Sequence, residues 1–341
     1  MEKKNIDWNN LGFAYQATDQ RYVAEYKDGK WGKGYLTHNS NVVISECAGV
    51  LQYAQACFEG LKAYTTKDGR IVTFRPEENA ERMVNTCKRL CIPPITKEMF
   101  LEAVDAVVKA NADCVPPYGT GATLYLRPFV FASGAVIGVK PADEYQFRLF
   151  GTPVGAYFKG GVKPVKLMVS EFDRAAPHGT GNIKAGLNYA MSIFAGTYAH
   201  SLGYADNMYL DSATRTYVEE TGGANFFFVD KNDTIVIPKS PTILPSITRR
   251  SLVDVAKSLG MKVEERAVKF TEVKDMKECG LCGTAAVISP VGLIHTDDGD
   301  IKFPSGMEKI GPVALKLYET LTGIQMGDIE DSMGWLRTIV K

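Results

Sequence analysis

Apolar residues recur along the first half of the chain with two spacings, one typical of strands and one typical of helices. GLKAYT and RIVTF are β-type runs around Asp68-Gly69, which predicts a hairpin. Pro76 then opens a predicted helix through ENAERMVNTCKRL, and Thr96 opens a second one. The apolar face of that second helix comprises Phe100, Leu101, Val104, Val107 and Val108.

The second half alternates between the two patterns. A helix is predicted from about Asn188 to Gly203, and Ala190, Ile193 and Phe194 give it an apolar face at helical spacing. NMYLD, NFFFVD and TIVIP are strand-like. A further helix is predicted to begin at Ser246, a natural N-cap, and GTAAVISPV is predicted to be a turn followed by a strand. A helix near the C-terminus completes the pattern.

The length of the chain indicates two domains. With 341 residues it can bury two apolar cores. The glycines and proline of GAYFKGGVKP mark a linker. We therefore predict an α/β protein (α+β type) with a smaller domain over 1–154, a linker over 155–164 and a larger domain over 165–341.

Composition and charge exclude several classes of protein. Lysine plus arginine and aspartate plus glutamate both number 39, so nothing predicts capture of nucleic acid or of an anionic membrane. The N-terminus lacks the apolar run of a secretory signal, and no segment is apolar enough to span a membrane. Seven scattered cysteines indicate reduced thiols and a cytoplasmic location. No metal site is predicted, because Cys279 and Cys282 lack a second pair of ligands.

The candidate chemistry lies between Thr180 and Phe228. Lys184 stands among small residues in GNIKAGLNYA, Tyr189 follows five positions later, and Glu220 precedes a glycine-rich turn and an apolar strand. An amine that can form a Schiff base, a phenol and a carboxylate that can pair with a ring nitrogen are the groups that a pyridoxal phosphate (PLP) enzyme needs. The alternative for Lys184 is an ordinary solvated surface lysine.

A phosphate group would need backbone amides and positive charge. LPSITRRSL places Ile247 and Thr248 in the first turn of a helix, where the dipole favours an anion. The turn GTAA offers Thr284 and further amides, and Arg75 at the end of a strand offers a counter-charge.

Several motifs carry a resemblance to a known family. ACFEGLKAY, VTFRPEENAERM, TLYLRPFVF, GNIKAGLNYA, EETGGANFFF, ILPSITRRSL and GTAAVISPV occur in the family's order over nearly the whole chain. The chain resembles the branched-chain amino-acid aminotransferases, which are class IV (fold-type IV) PLP enzymes. The resemblance implies two α/β domains with PLP at their interface and a homodimer or higher homo-oligomer. It also implies transamination of leucine, isoleucine and valine with 2-oxoglutarate to give 2-oxo acids and glutamate.

The resemblance also implies roles for individual residues. Lys184 would hold PLP as a Schiff base and move the proton during transfer, Glu220 would bond the ring nitrogen and Tyr189 the phenolic oxygen. The remaining implied cofactor contacts are Arg75, Asn225, Ile247, Thr248 and Thr284. The implied substrate contacts are Phe13, Tyr53, Phe58, Tyr125 and Tyr157 for the apolar side chain, Thr284 and Ala285 for the α-carboxylate, and Arg127 for the distal carboxylate of glutamate.

Two departures and three rival interpretations remain. The family often has Thr at the position of Ile237 and a hydroxyl residue at that of Gly223. A D-amino-acid aminotransferase or an aminodeoxychorismate lyase would share only the Lys184 and Glu220 motifs. The other rivals are a redox or metal-binding module that uses Cys279 and Cys282, and a PLP carrier without catalysis. The sequence does not indicate a biosynthetic or catabolic role, nor a ranking of the substrates.

Overall fold

The computed structural model describes residues 3–155 and 162–341. The strands of this part are, in chain order, Arg21–Lys27 (β1), Lys30–Trp31 (β2), Tyr35–Thr37 (β3), Ala56–Phe58 (β4), Leu61–Thr65 (β5), Ile71–Phe74 (β6), Thr123–Ala132 (β7), Tyr145–Val154 (β8), Val165–Val169 (β9), Asp206–Met208 (β10), Asn225–Val229 (β11), Ile235–Pro238 (β12), Val263–Arg266 (β13), Glu278–Gly283 (β14), Val287–Thr296 (β15), Gly299–Lys302 (β16) and Leu336–Val340 (β17). The α-helices are Gly49–Tyr53 (α1), Pro76–Arg89 (α2), Lys97–Ala110 (α3), Gly186–Ser201 (α4), Ile247–Ser258 (α5) and Pro312–Met326 (α6). Ala112–Cys114 and Phe270–Asp275 are short 3₁₀ helices.

The chain divides into two compact units. Among the described residues, the first unit comprises 3–155, 183–187 and 324–341, and the second comprises 162–182 and 188–323. Each unit has its own sheet and helices, so the mixed α/β fold class is confirmed. The domain boundaries predicted from the sequence remain a prediction; the structure additionally groups 183–187 and 324–341 with the first unit.

The first unit is built on an antiparallel sheet. Its strand order is β17-β6-β5-β7-β8-β1-β2, with β3 beside β1 and β4 beside β7. The predicted hairpin is confirmed as β5 and β6, and Gly69 at its turn has a φ of 86°, which glycine adopts without strain. Side chains from α2 and α3 join those of the sheet in one buried core.

Helices α2 and α3 begin where the sequence predicts, whereas the short helix α1 was not predicted. Thr96 caps α3, because its hydroxyl oxygen accepts a hydrogen bond from the Met99 amide at 3.1 Å. Phe100, Val104 and Val107 are buried in the core. Pro76 is the first residue of α2, a position where its missing N–H costs nothing.

The second unit has a mixed sheet. Its order is β10-β9-β15-β14-β11-β12-β13, with β16 beside β15. Strand β9 is parallel to β10 and β15, and β12 is parallel to β13, whereas the other pairs are antiparallel. Ser246 caps α5 by accepting from the Arg249 amide at 3.2 Å, which confirms the predicted start of this helix.

The predicted apolar face of α4 is wrong. Ile193 and Phe194 are exposed, and the buried positions of the helix are Asn188, Ala195 and Ala199. Alanine allows a helix to pack closely against neighbouring residues. Helix α4 therefore packs through small side chains, and its large apolar side chains are exposed. None of the helices in the described residues is long and apolar enough to span a bilayer.

Candidate active site

The backbone around Lys184 is fixed to the first unit on two sides. The Lys184 N–H donates to the Thr86 hydroxyl oxygen on α2 at 3.2 Å, and the Lys184 carbonyl accepts from the Phe58 N–H at 3.1 Å. Ala185 forms an antiparallel bridge with Cys57. These contacts hold the short connection into α4 against β4 and set the direction of a half-buried lysine side chain.

Four predicted site residues of the first unit form one cluster with Lys184. The Lys184 Nζ lies 4.9 Å from the centroid of the Phe58 ring, and the Arg127 guanidinium lies 4.7 Å from the same ring. Arg127 Nη2 donates to the Tyr125 hydroxyl at 3.1 Å, and the Phe13 ring meets the Tyr125 ring edge-on at 5.6 Å. The cluster thus combines aromatic surface with two cations, which suits a ligand that has an apolar part and a carboxylate.

Arg127 retains bonding capacity inside this cluster. Its Nε is buried and has no hydrogen-bond partner among the described residues. A buried donor without a partner costs about 1–3 kcal/mol, more when it is charged. An anionic ligand would remove that cost, which fits the predicted role of Arg127 at a substrate carboxylate.

The segment that carries Phe58 is anchored by a buried ion pair. Glu59 accepts from Arg82 Nε at 2.8 Å and from Arg82 Nη2 at 2.7 Å, and Asn79 Nδ2 donates to it at 2.8 Å. Sequence analysis assigned no role to these residues. The signal was present, because a glutamate inside the apolar run ACFEGLKAY needs a buried cation.

Gly60 allows Tyr125 to lie against the same segment. A Cβ at Gly60 would lie 2.3 Å from the Tyr125 hydroxyl oxygen, a separation that no real contact shows. Glycine at this position therefore determines where the Tyr125 ring can stand.

Arg75 has an unusual backbone at the start of α2. Its φ of 47° and ψ of 45° are left-handed, which costs a residue with a side chain about 1–3 kcal/mol. The Arg75 N–H donates to the Trp335 carbonyl at 2.8 Å, and the guanidinium lies 4.7 Å from the Trp335 ring centroid. Its Nη2 lies 3.3 Å from Glu78 Oε1. The strained residue is thus held at a helix N-terminus, a favourable place for an anion.

Two predicted pocket residues have no confirmed place in the cluster. Tyr53 lies on α1, and its hydroxyl donates to the Ile137 carbonyl. This bond directs the Tyr53 hydroxyl towards the loop between β7 and β8, so its contact with a substrate stays a prediction. Tyr157 lies outside the described residues.

Glu220 is the centre of a polar cluster in the second unit. Its Oε1 accepts from the Leu244 N–H at 2.8 Å and pairs with Arg174 Nη2 at 3.0 Å. Its Oε2 accepts from Asn225 Nδ2 at 2.6 Å, and the two residues also form a β-bridge. The Asn225 Oδ1 is buried without a hydrogen-bond partner in the described part of the chain. Three donors therefore hold the carboxylate in a fixed direction, and the unsatisfied Oδ1 acceptor of Asn225 lies beside it.

Arg174 is the residue of this cluster that sequence analysis missed. It lies between two buried carboxylates, 3.0 Å from Glu220 and 3.9 Å from Glu219, and its guanidinium also donates to the Thr242 carbonyl. Burial raises the pKa of the Glu219 carboxyl. Two adjacent glutamates before a buried strand require a cation nearby, and that was the available signal.

The proposed anion cradles of the second unit lie at turns. Ile247 and Thr248 are buried in the first turn of α5, where amide N–H groups have no partner inside the helix. Thr284 and Ala285 form the turn between β14 and β15. Tyr189 is half-buried on α4, one turn after the helix begins.

The two departures from the family pattern leave these elements intact. Ile237 is buried in β12. A Cβ at Gly223 would have no atom within 4 Å, so the position has room for a hydroxyl residue.

Cys279 and Cys282 do not form a paired thiol site. Both lie on β14, where residues three apart point to opposite faces of the sheet. Both are buried, and burial raises the pKa of Cys282 to about 12. High thiol pKa values and opposed directions disfavour the redox interpretation of this motif.

Comparisons with known proteins identify the family. The model of the class IV aminotransferases matches residues 56–294. A branched-chain-amino-acid aminotransferase of Haemophilus influenzae is 51% identical over 98% of this chain and 98% of its own length. The chain belongs to the branched-chain-amino-acid aminotransferases of class IV.

Solved structures agree with this family. The branched-chain amino acid aminotransferase of Escherichia coli has a TM-score of 0.79 at 27% identity, covering 93% of this chain and 99% of that one. That of Thermoproteus uzoniensis, solved with norvaline, has a TM-score of 0.77 at 26% identity, covering 93% and 99%. The predicted family, the predicted enzyme class and the predicted transamination of branched-chain amino acids are confirmed. The roles of the individual residues stay predictions.

Proposed function

We propose that this aminotransferase moves the amino group of leucine, isoleucine or valine to 2-oxoglutarate, and that Lys184 is the residue that would hold PLP. The observation that supports it most is the cluster in which the amine of Lys184 and the guanidinium of Arg127 lie on one aromatic ring, that of Phe58. It combines a nucleophile, an apolar surface and a cation for a carboxylate.

The described residues fit PLP, which is confirmed as the cofactor of this aminotransferase. Lys184 offers an amine, Glu220 a fixed carboxylate, and the first turn of α5 an anion cradle. The buried Oδ1 of Asn225 has no hydrogen-bond donor among the described residues, so it is available to a donor from a ligand. When bound, PLP supplies an aldehyde carbon that condenses with amines and a ring that accepts the electron pair of the substrate's Cα–H bond.

The residues of the chain would do the remaining work. Lys184, once freed by the substrate's amine, would take the proton from the substrate Cα and return it to the cofactor carbon. Glu220 would keep the ring nitrogen protonated, since its carboxylate is held in place by Arg174, Asn225 and the Leu244 amide, whose hydrogen bonds favour the charged form. Tyr189 would bond the phenolic oxygen.

Substrate binding would use both characters of the first-unit cluster. Phe58 and Tyr125 would contact the aliphatic side chain of leucine, isoleucine or valine. Arg127, which already bonds the Tyr125 hydroxyl, would pair with the distal carboxylate when glutamate or 2-oxoglutarate occupies the same pocket. The α-carboxylate would bind to the backbone amides of Thr284 and Ala285. The phosphate would bind to backbone and side-chain groups of Arg75, Ile247 and Thr248.

We also propose a homodimer or higher homo-oligomer and a cytoplasmic location. All seven cysteines are free thiols, which supports a reducing compartment.

The proposed reaction is tested by assaying a panel of amino acids with 2-oxoglutarate. The assay is run on the wild type, on Lys184→Ala and on Lys163→Ala, a control at an exposed lysine. Leucine, isoleucine and valine should react, and the control should equal the wild type. Lys184→Ala should lose activity by several orders of magnitude while keeping its circular dichroism. Activity on none of the three amino acids would reject the substrates, and full activity in Lys184→Ala would reject the mechanism.

A further inference from the structure

A cavity of the first unit is lined by two arginines and several aromatic rings. Its volume is about 380 Å³, which lies in the range of small-molecule sites. We call it the β8 cavity, because three of its lining residues belong to that strand. The side chains that matter for its chemistry are Tyr15, Arg21, Val42, Phe129, Arg148 and Phe150.

The register of the sheet brings these side chains together. Arg148 on β8 lies directly opposite Val23 on β1 and directly opposite Phe129 on β7. Residues two apart on a strand point to the same face, so Arg21 shares the face of Val23, and Phe150 shares that of Arg148. The Phe129 and Phe150 rings meet edge-on at 6.1 Å. Two cations and two aromatic rings therefore lie on one face of three adjacent strands.

Backbone carbonyls hold both guanidinium groups, but each group keeps a donor to offer. Arg21 donates to the His38 carbonyl through Nη1 at 2.8 Å and to the Thr18 carbonyl through Nη2 at 2.7 Å. Arg148 donates to the Asn41 carbonyl through Nη1 at 2.9 Å. The Nε of each arginine is buried and has no hydrogen-bond partner in the part of the chain that the structure describes.

The positive charge of the β8 cavity is not neutralised by the described residues. Within 3–155 and 162–341, neither Arg21 nor Arg148 forms an ion pair with a carboxylate. Arg21 is only 7% exposed, and burial lowers the pKa of Arg148. The charge of Arg21 lowers that pKa further and outweighs the attraction of Glu25. Buried charges are normally paired, so an anion in this cavity would be stabilised.

We propose that the β8 cavity binds a small monocarboxylate with an apolar body. The carboxylate accepts hydrogen bonds from the Nε groups of Arg21 and Arg148, and the apolar body contacts the rings of Tyr15, Phe129 and Phe150. Inorganic phosphate would use only the cations, and a neutral apolar compound would use only the rings. The combination therefore selects a molecule that has both characters.

The β8 cavity adjoins the predicted substrate cluster without being part of it. Phe150 lies directly opposite Arg127 in the ladder of β7 and β8. The Tyr15 ring meets the Phe150 ring edge-on at 5.8 Å, and Tyr15 follows two positions after Phe13, whose ring contacts Tyr125. The proposed site goes beyond the transamination proposed above and does not depend on it, since Arg21 and Arg148 have no role in that reaction.

A ¹⁹F NMR titration of the PLP-loaded enzyme tests the proposal, with 4-(trifluoromethyl)phenylacetate as the probe. The wild type should bind this acid. It should bind the corresponding neutral amide at least about 10-fold more weakly, because the amide lacks the charge that pairs with the arginines. Inorganic phosphate should likewise displace the acid only at concentrations about 10-fold higher or more, because it has no apolar body.

Two variants and a matched control locate the binding. Arg148→Met should raise the dissociation constant of the acid about 10- to 100-fold, because a charge-assisted contact is lost. Val42→Trp, at a position that is 40% exposed, should also raise it at least about 10-fold by filling the cavity, and it leaves both arginines in place. Arg70→Met is the control and should bind as the wild type does, since Arg70 pairs with Asp68 at 2.7 Å on the surface of the same unit.

The outcomes separate this site from the candidate active site. Binding that is lost in Arg127→Met but unchanged in Arg148→Met would place the probe in the active site and overturn the proposal. A wild type that does not bind the acid, or that binds the amide equally well, would also overturn it. Val42→Trp guards against misfolding of Arg148→Met: weaker binding with wild-type circular dichroism supports the proposal, and unchanged binding contradicts it.

Discussion

Arg174 neutralises two buried carboxylates, and its removal should destabilise the second unit. Its guanidinium lies 3.0 Å from Glu220 and 3.9 Å from Glu219, and all three side chains are almost fully buried. In Arg174→Met the side chain keeps much of its volume, but Glu219 and Glu220 are left without their cation. Breaking a buried ion pair on one side costs about 3–5 kcal/mol, so we expect a loss of that size in the free energy of unfolding at neutral pH.

The loss should depend on pH with a definite sign. Burial already raises the pKa of the Glu219 carboxyl in the folded protein above its ordinary value of 4.5. Without Arg174 that pKa rises further, because the opposing cation is gone. An acid with a raised folded pKa loses stability as pH rises through that value, so the deficit is greatest at neutral pH. It should shrink as pH falls to 4.5 and below, because Glu219 then becomes protonated in the unfolded state as well as in the folded one.

Denaturant unfolding of the wild type and of Arg174→Met, at pH 7 and at pH 5, measures both effects. Arg266→Met is the matched control. The Arg266–Glu272 pair is 2.8 Å long, but both side chains are more than a third exposed, so its loss should cost about 1 kcal/mol or less. Arg174→Lys should recover part of the loss, since it restores the charge. Equal costs for Arg174→Met and the control, or a deficit that grows towards acid pH, would refute the reasoning.

Three further changes have distinct expected results. Arg127→Met should raise the KM for 2-oxoglutarate about 10- to 100-fold and the KM for leucine much less, because only 2-oxoglutarate loses a charge-assisted contact. Steady-state kinetics that show equal effects on both KM values would contradict this. Gly60→Ala should lower kcat/KM for leucine about 10-fold with little change in the melting temperature, since a Cβ at position 60 would lie 2.3 Å from the Tyr125 hydroxyl oxygen. Unaltered kinetics would show that Gly60 does not determine the position of Tyr125. Glu278→Ala should lower the free energy of unfolding by about 2 kcal/mol, because the Glu278 carboxylate accepts hydrogen bonds from the Val313 and Ala314 amides and so caps the start of α6. A thermal melt identical to that of the wild type would contradict this capping role.

Local patterns predicted much of the fold. The hairpin at Gly69, the Thr96 cap of α3 and the Ser246 cap of α5 depend on a few neighbouring residues, and the structure has each of them. The family motifs placed Lys184 and Phe58 among the site residues. These signals are local in sequence, so one chain suffices to see them.

Contacts between distant residues were not visible in this way. Arg174 meets Glu220 across 46 positions, and Arg82 meets Glu59 across 23, and no spacing rule connects such pairs. The orientation of α4 was misjudged for a related reason. Helical spacing identified Ile193 as apolar, but spacing alone does not say whether the protomer or another molecule covers it.

The central claim is that the Lys184 amine is the covalent attachment point of PLP. Borohydride reduction of the PLP-loaded enzyme, followed by proteolysis and mass spectrometry, should find the pyridoxyl group on the peptide that contains Lys184 and on no peptide of Lys184→Ala. A pyridoxyl group on a different lysine, or none after reduction of the loaded wild type, would contradict the account.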